Sequence, residues 1–370
     1  MMATAGAAGL RRPGPLIVPR DADPRVSLIV LAARRAELLD ACLSALPAAT
    51  VGGPTCETVI VLNGATPEVQ TLVHDRVEGA RVVGSKVNLG VAGGANLGRG
   101  VARGDLLVIL HDDATPRPDW LARLVDVADR HPEAGVVGSR VVNPDGTPQG
   151  AGWVTFAEGY AAPLRDDPPP SLVERPVDFC ASCALLVRSR VWDSLGGLDE
   201  DLFPAYCVDT DLGMATWRAG WSVLCALHAE VAHDRGSTSS AEYRGFLVAR
   251  NWERLRQKWS VELSQHVNSE DAGDGAMDLA LERVRLLAVQ CHRAGAPTGA
   301  PALPSLGTDG FARGESASAR AQRLETEVRD EFSSHMTQQQ RIGARCKRAV
   351  ERTRARLGVR TRLRALLGRL

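Results

Sequence analysis

The chain has 370 residues, of which 44% are hydrophobic and 24% charged, as in a globular protein of one large or two smaller domains. Lysine plus arginine (44) balance aspartate plus glutamate (44), so the overall charge does not point to nucleic acid as a partner. No stretch approaches the roughly 18 apolar residues that span a bilayer. The eight cysteines are too scattered for a small disulfide framework.

Strands and helices alternate through the first third of the chain. Continuous apolar runs predict buried strands at 26–31, 58–62, 80–83 and 106–110. Apolar residues at helical spacing predict helices at 37–46 (ended by Pro47), 67–77 and 119–130. This alternation predicts a mostly parallel central sheet with helices on both faces. Ligands of such sheets bind at the carboxyl ends of the strands. The polar segments at those ends are 32–35, 63–64 and 111–113.

Changes in composition divide the chain into predicted regions. Residues 1–24 lack the apolar run of a signal peptide and predict a disordered leader. The regular α/β pattern occupies 25–115, and a less regular half, suited to a second substrate, occupies 116–260. Residues 261–370 predict a helical extension, with a helix at 276–295 and a Pro/Gly-rich linker near 296–314.

The tail 341–370 is strongly basic, with eleven Lys/Arg and one acidic residue. Leu363, Leu366, Leu367 and Leu370 fall on one face of a helix there. A basic amphipathic helix of this kind binds anionic membrane surfaces. Packing of the same helix on an acidic protein surface explains the pattern equally well. We therefore expect a cytoplasmic protein, with peripheral attachment to the inner face of the cytoplasmic membrane as one alternative.

Two acidic clusters are candidates for chemistry. His111, Asp112 and Asp113 directly follow a buried strand, where carboxylates can coordinate Mg²⁺ or Mn²⁺. Capping of the next turn is an equally good explanation on spacing alone. Asp209 and Asp211 precede a helical pattern, and capping by Asp211 explains only one of them.

Three further features admit a structural explanation. His233 follows a short apolar stretch, and a lone histidine is more often structural than a ligand. Cys180 and Cys183 lie in an apolar run, which favours buried, reduced thiols over zinc binding. Residues 88–98 (NLGVAGGANLG) precede a helix and could bring backbone amides to a diphosphate. Their glycine spacing is wrong for a dinucleotide-binding fold.

These segments, in this order, resemble bacterial family 2 glycosyltransferases, especially the rhamnosyltransferase-like branch. The resemblance covers about residues 25–260. The blocks that carry it include the glycine-rich 88–98, the strand ending in 111–113, the segment 196–200 and the segment 209–212. The resemblance implies a GT-A fold with a donor-binding half at 25–115 and an acceptor-facing half at 116–260.

The resemblance also implies a role for each candidate residue. Asp209 would be the general base of an inverting transfer, and Asp113 with His233 would hold Mn²⁺ or Mg²⁺, with His111 as a further candidate ligand. Asp211 and Trp153 would face the acceptor. The implied donor-binding residues are Ala32, Asn63, Asn88, Gly90, Gly94, Asn96 and Asp112.

The sequence departs from the family pattern at several of its positions. His111 replaces the first acid of the metal motif, Leu62 replaces an aspartate that commonly contacts the base, and Val208 replaces the glutamate before Asp209. Ala33 falls in the altered segment after the first strand. The implied function is metal-assisted transfer from a nucleotide sugar to a carbohydrate or lipid-linked acceptor in cell-envelope synthesis. A catalytically degenerate domain that acts as a binding or scaffold protein is the alternative.

Overall fold

A computed structural model describes residues 14–165, 169–235, 240–297 and 315–340. Its strands are β1 (Leu16–Ile17), β2 (Val26–Ala32), β3 (Cys56–Asn63), β4 (Val77–Glu78), β5 (Arg81–Ser85), β6 (Leu106–His111), β7 (Ala114–Pro116), β8 (Ala134–Val142), β9 (Pro148–Gly150), β10 (Trp153–Thr155), β11 (Ala161–Pro163), β12 (Glu174–Pro176), β13 (Ala184–Arg188) and β14 (Ser222–His233).

The first six helices lie between these strands, and the last five follow β14. The helices are α1 (Ala36–Ala49), α2 (Pro67–Arg76), α3 (Gly90–Arg99), α4 (Trp120–Arg130), α5 (Ser189–Leu195), α6 (Val208–Arg218), α7 (Ala241–Lys258), α8 (Ser260–Leu263), α9 (Ser269–Ala272), α10 (Ala276–Ala294) and α11 (317–340). Short 3₁₀ turns occur at Glu200–Leu202 and Gly273–Gly275. None of these helices, within the ranges just given, combines the length and apolar character needed to cross a bilayer.

The central sheet has the strand order β12-β14-β8-β13-β6-β2-β3-β5, with β7 on β14 and β9 on β8. Strands β6, β2, β3 and β5 are parallel, as the sequence predicts. The second half is mixed, because β13 runs antiparallel between β6 and β8 while β14 runs parallel to β8. The parallel half therefore brings the ends of β2, β3 and β6 to one edge of the sheet.

Every residue of β2 is buried, since the sheet is covered on both faces. Leu28 and Val30 pack in the core beneath α1 and α4, and Ile29 and Leu31 pack in the core beneath α3 and α6. Successive residues of β2 therefore point to opposite faces of the sheet, and both faces are buried. For this reason the strand is a continuous apolar run rather than an alternation of polar and apolar residues.

Two local predictions need correction. The leader is not disordered from residue 14 onward: Leu16–Ile17 pair with Val77–Glu78, and Val18 is buried. Residues 1–13 lie outside the described part. Pro47 does not end α1, which continues to Ala49. Pro47 lacks the N–H that would donate to the i−4 carbonyl, so α1 loses one hydrogen bond at this position and ends two residues later.

The described part of the C-terminal extension packs on the α/β domain. In α10, Ala276, Ala280 and Val284 pack against Val154 and Phe156. In α11, Ala321, Leu324 and Val328 share a buried cluster with Leu89, Phe203 and Leu247. The predicted linker from residue 298 onward and the basic tail 341–370 lie outside the described residues.

Candidate active site

A pocket of about 300 Å³ opens at the carboxyl ends of β2, β3 and β6. Its lining residues come from these strand ends, from the start of α3, from the loop before α6 and from α7 and α11: Leu31, Ala33, Arg34, Asn63, Asn88, Gly90, Val91, His111, Asp112, Phe203, Pro204, Ala205, Tyr206, Tyr243, Leu247 and Glu325. The edge predicted from the sequence is therefore the edge where the structure has a cavity.

The rim of the pocket is formed by the start of α3. Asn63 fixes it, since its side chain donates to Gly90 O at 2.9 Å and accepts from Leu89 N at 2.7 Å. Asn88 Oδ1 accepts from Gly90 N at 2.8 Å. Gly90 has φ +73°, and a Cβ there would lie 2.8 Å from the carbonyl oxygen of Pro204 across the pocket. Asn63, Asn88 and Gly90 therefore lie where the sequence predicts a donor site.

Three other predicted donor-binding residues lie away from this cavity. Ala32 is buried beneath α1, on the opposite face of the sheet from α3. Gly94 packs on the sheet, and a Cβ there would lie 2.9 Å from Asn63 Nδ2. Asn96 binds the backbone of Leu198 and Glu200 Oε1 at distances of 2.9–3.0 Å. Gly94 and Asn96 therefore support the pocket by packing α3 rather than by lining the cavity.

Asp112 lies at the pocket floor, just after β6. Its Oδ2 accepts a hydrogen bond from Ala33 N at 2.9 Å, which ties the end of β6 to the end of β2. Burial raises the pKa of Asp112 to about 7, although this hydrogen bond acts in the opposite direction. The neighbouring Leu62 does not line the cavity and contacts Gly84 instead, so the usual base-contacting position has no polar side chain here.

His111, Asp113 and His233 converge beside Asp112. Their ligand atoms lie within 4.8 Å of one another, and His233 Nε2 is 3.3 Å from Asp113 Oδ1 without good hydrogen-bond geometry. The pairing of β7 with β14 produces this convergence, since it sets His233 opposite Ala114. One carboxylate and two imidazoles are a donor set that suits Mn²⁺ and related cations.

The chemistry of the cluster fits a cation. His111 Nε2 is buried and has no hydrogen-bond partner among the described residues, and the same holds for Asp113 Oδ1. Burial lowers the pKa of His111 to about 4, which keeps its imidazole neutral, as a metal ligand must be. Burial also acts to lower the pKa of His233, but Cys183 and Asp113 outweigh it and raise this pKa to about 10, so a cation would have to displace the proton of this imidazole.

Asp209 lies in the first turn of α6 and does not cap it. The preceding Tyr206 and Cys207 have φ of +72° and +63°, a left-handed turn that costs free energy for residues other than glycine. The carboxylate accepts from Thr210 N at 3.0 Å and from Ser182 N at 3.4 Å. Burial raises its pKa, although its backbone hydrogen bonds and Arg235 act in the opposite direction.

Residues 182 and 183 connect Asp209 to the metal-ligand cluster. Ser182 N donates to Asp209, while the next residue, Cys183, accepts from His111 N through its carbonyl at 2.9 Å. Cys183 and Cys180 are buried free thiols, as the sequence predicts. The proposed base and the proposed metal ligands therefore share one short backbone segment.

The two residues predicted to face the acceptor are engaged elsewhere. Asp211 is 6% exposed, lies 2.7 Å from Lys258 Nζ and accepts from Trp259 Nε1 at 2.7 Å. It is a buried ion-pair residue, neither a cap nor an acceptor contact. Trp153 is 8% exposed and stacks on Phe179 with ring centroids 5.8 Å apart, which makes it a core residue.

Several pocket residues could not be identified from the sequence. Tyr206, Tyr243, Leu247 and Glu325 line the wall opposite β2, and Glu325 belongs to α11 in the C-terminal extension. The family resemblance extends into α7 without marking Tyr243 or Leu247, and no motif marks α11 as part of a site. Among these residues, only Tyr206 has a sequence feature that points to the site, since it lies just before Asp209 and Asp211.

Comparisons with known proteins agree with this arrangement. The family model described as Glycosyl transferase family 2 matches residues 27–189. The O-antigen biosynthesis protein RfbC of Myxococcus xanthus is 30% identical over 232 residues, which are 59% of this chain and 18% of that protein. An N-acetylglucosaminyl-diphospho-decaprenol L-rhamnosyltransferase of Mycobacterium tuberculosis is 26% identical over 217 residues, 50% of this chain and 69% of that protein. The chain thus spans only a small part of the first relative.

A likeness to a solved structure concerns the fold alone. The crystal structure of GalNAc-T7 with UDP, GalNAc and Mn²⁺ aligns with a TM-score of 0.51 at 13% identity, over 73% of this chain and 55% of that chain. This likeness, together with the central mixed sheet and its flanking helices, confirms the expected GT-A fold. Residues 27–189 therefore match a family 2 glycosyltransferase domain, and the chain has the GT-A fold and is similar to relatives of the rhamnosyltransferase-like branch.

Proposed function

We propose that this protein transfers a sugar from a nucleoside-diphosphate sugar to an acceptor hydroxyl with inversion at the anomeric carbon. The observation that carries the proposal is the backbone segment 182–183, which joins Asp209 to the cluster of His111, Asp113 and His233; of these three ligands, His111 lines the pocket. A base next to a cation site, at the carboxyl edge of a parallel half-sheet, suits displacement of a diphosphate leaving group.

The proposed binding of the donor depends on the residues that follow β6 and on His233. Asp113 and His233, with His111, would hold a divalent cation, which neutralises the charge that develops on the leaving diphosphate. Asp112 would line the donor site and keep the ends of β2 and β6 together through Ala33 N. The mixed carboxylate and imidazole ligands favour Mn²⁺ at least as much as Mg²⁺.

The acceptor half rests on Asp209. Its carboxylate would take the proton of the acceptor hydroxyl as that oxygen attacks the anomeric carbon from the side opposite the diphosphate. The new C–O bond forms as the bond to the diphosphate oxygen breaks, and the diphosphate leaves with the bonding electron pair. Because burial raises the pKa of Asp209, its carboxylate is a stronger base than an exposed aspartate.

The relatives support a role in cell-envelope glycan synthesis. One carries the name of an O-antigen biosynthesis protein and another that of a rhamnosyltransferase for a decaprenyl-linked substrate. We propose a lipid-linked or carbohydrate acceptor of the same general class. The eleven basic residues in 341–370 would bring the protein to an anionic membrane surface, where lipid-linked acceptors lie. If deletion of 341–370 leaves sedimentation with anionic vesicles unchanged, the membrane proposal is wrong.

The alternative is a degenerate domain that binds a ligand without turning it over. Leu62, in place of the aspartate that commonly contacts the base, favours it, whereas retention of Asp113, Asp209 and His233 favours catalysis. A panel of UDP-, dTDP- and GDP-sugars with Mn²⁺ and lipid-linked acceptors separates the two. We expect nucleoside diphosphate release from at least one donor. Tight donor binding without release from any pair would establish the alternative.

A further inference from the structure

A second histidine–carboxylate cluster lies far from the pocket. It consists of His131 after α4, Glu133 before β8 and His292 in the last turn of α10, and their ligand atoms lie within 4.8 Å of one another. Glu133 O accepts from Ser222 N at the first residue of β14, whereas His233 ends that strand. At about 3.3 Å per strand residue, the two clusters are on the order of 30 Å apart.

The three side chains are arranged around one carboxylate oxygen. Glu133 Oε1 lies 3.2 Å from His131 Nδ1 and 2.9 Å from His292 Nδ1. Ligand atoms that surround a tetrahedral Zn²⁺ at 2.0–2.1 Å are separated from one another by roughly 3.4 Å. The observed distances from Glu133 Oε1 to the two histidine nitrogens are close to this separation, so small side-chain rotations are enough for the three atoms to coordinate one cation. Glu133 is 4% exposed, so its position is fixed by the fold.

The other nitrogen of His131 is already oriented. His131 Nε2 lies 3.1 Å from Glu174 Oε1, and Glu174 is itself paired with Arg130 at 2.8 Å. With a cation bound at Nδ1, the ring proton of His131 would lie on Nε2 and would be donated to the Glu174 carboxylate. Histidines that bind metals usually donate their second N–H to a carboxylate in this way.

We propose that His131, Glu133 and His292 bind a Zn²⁺-class divalent cation that joins α10 to the α/β domain. Two imidazoles and one carboxylate favour Zn²⁺, Co²⁺ or Ni²⁺ over Mg²⁺ and Ca²⁺, which prefer oxygen ligands. The side chain of His292 is 69% exposed, which leaves a coordination position open to solvent. Because α10 belongs to the C-terminal extension, bound metal would stabilise the attachment of this extension to the domain.

The test is calorimetric titration of the full chain with Zn²⁺. All proteins carry Asp113→Ala, so that the active-site cluster contributes as little as possible. The background protein should bind one Zn²⁺ at this site, and His292→Ala should weaken that binding at least tenfold. Glu174→Gln, which removes the carboxylate beside His131 Nε2 together with its ion pair to Arg130, should weaken it by roughly 10–100-fold. The matched control is His74→Ala, at a surface histidine whose side chain is 87% exposed, and it should leave the affinity unchanged.

A second readout separates binding from a folding defect. Saturating Zn²⁺ should raise the melting temperature of the Asp113→Ala protein and of its His74→Ala derivative, but not that of the His292→Ala derivative. Circular dichroism should show that all of these variants are folded, since His292 is exposed. The proposal is overturned if His292→Ala binds Zn²⁺ with the background affinity, or if the background protein binds none.

Discussion

Asparagine at position 209 tests the proposed base with little disturbance of the fold. Within the described residues, the Asp209 carboxylate accepts two backbone hydrogen bonds, of 3.0 and 3.4 Å, and an amide oxygen can keep one of them. Because burial raises the pKa of this carboxyl, loss of its charge removes a desolvation cost. We therefore expect Asp209→Asn to change the free energy of unfolding by less than about 1 kcal/mol. Transfer should fall by roughly 10²–10⁴-fold.

The matched control is the same substitution two residues along the helix. Asp211→Asn removes a buried ion pair in which Lys258 Nζ lies 2.7 Å from the carboxylate. Lys258 keeps Asp199 at 2.6 Å, so the loss is smaller than for a fully orphaned charge. We expect a cost of about 1–3 kcal/mol in the free energy of unfolding. Transfer by the folded protein should stay within about tenfold of wild type.

Three measurements on both variants complete the comparison. Urea denaturation gives the free energy of unfolding, calorimetry gives the donor affinity, and release of nucleoside diphosphate gives turnover. Asp209→Asn should keep the donor affinity and the free energy of unfolding of the wild type but lose turnover. Asp211→Asn should lower the free energy of unfolding and keep most of the turnover. A folded Asp209→Asn protein with near-normal turnover would refute the assignment of the base.

Further predictions concern the cation, the rim and the wall of the pocket. Chelation by EDTA should abolish transfer, and Asp113→Ala should lower it at least 10²-fold without unfolding; activity that survives exhaustive EDTA treatment would exclude the metal role. Gly90→Ala should cost about 1–3 kcal/mol in thermal denaturation and weaken donor binding, because φ is positive and a carbonyl oxygen lies 2.8 Å from the new Cβ. Gly245→Ala in α7, where a Cβ meets nothing within 4 Å, is its control and should be neutral or stabilising. Leu324→Ala should cost about 2–5 kcal/mol and weaken donor affinity, since α11 places Glu325 in the pocket wall; unchanged affinity in calorimetry would show that α11 is only structural.

The parallel half of the fold could be predicted from local pattern. The run 26–31 is buried on both faces, and its apolar continuity shows this without any tertiary information. The antiparallel insertion of β13 could not be predicted, because its apolar sequence suits either direction. Its pairing depends on β6 and β8, which are distant along the chain.

The sequence predicts those site residues that lie next to one another in the chain at the end of a strand. His111 and Asp112 line the pocket because they lie at the carboxyl end of β6, and the apolar run of that strand predicts this position. The role of Asp211 was not predictable, because its partner Lys258 is 47 residues further along the chain, and Lys258 is charged like any surface lysine. The same holds for Glu325, which reaches the cavity only through the packing of α11.

The anomeric configuration of the product tests the account most directly. The product formed from the donor that supports turnover should be analysed by NMR, before and after removal of the lipid carrier. A single displacement with Asp209 as base predicts one new glycosidic linkage with the configuration opposite to that of the donor, formed in equal amount with the nucleoside diphosphate. A product that retains the donor configuration would contradict the proposed mechanism.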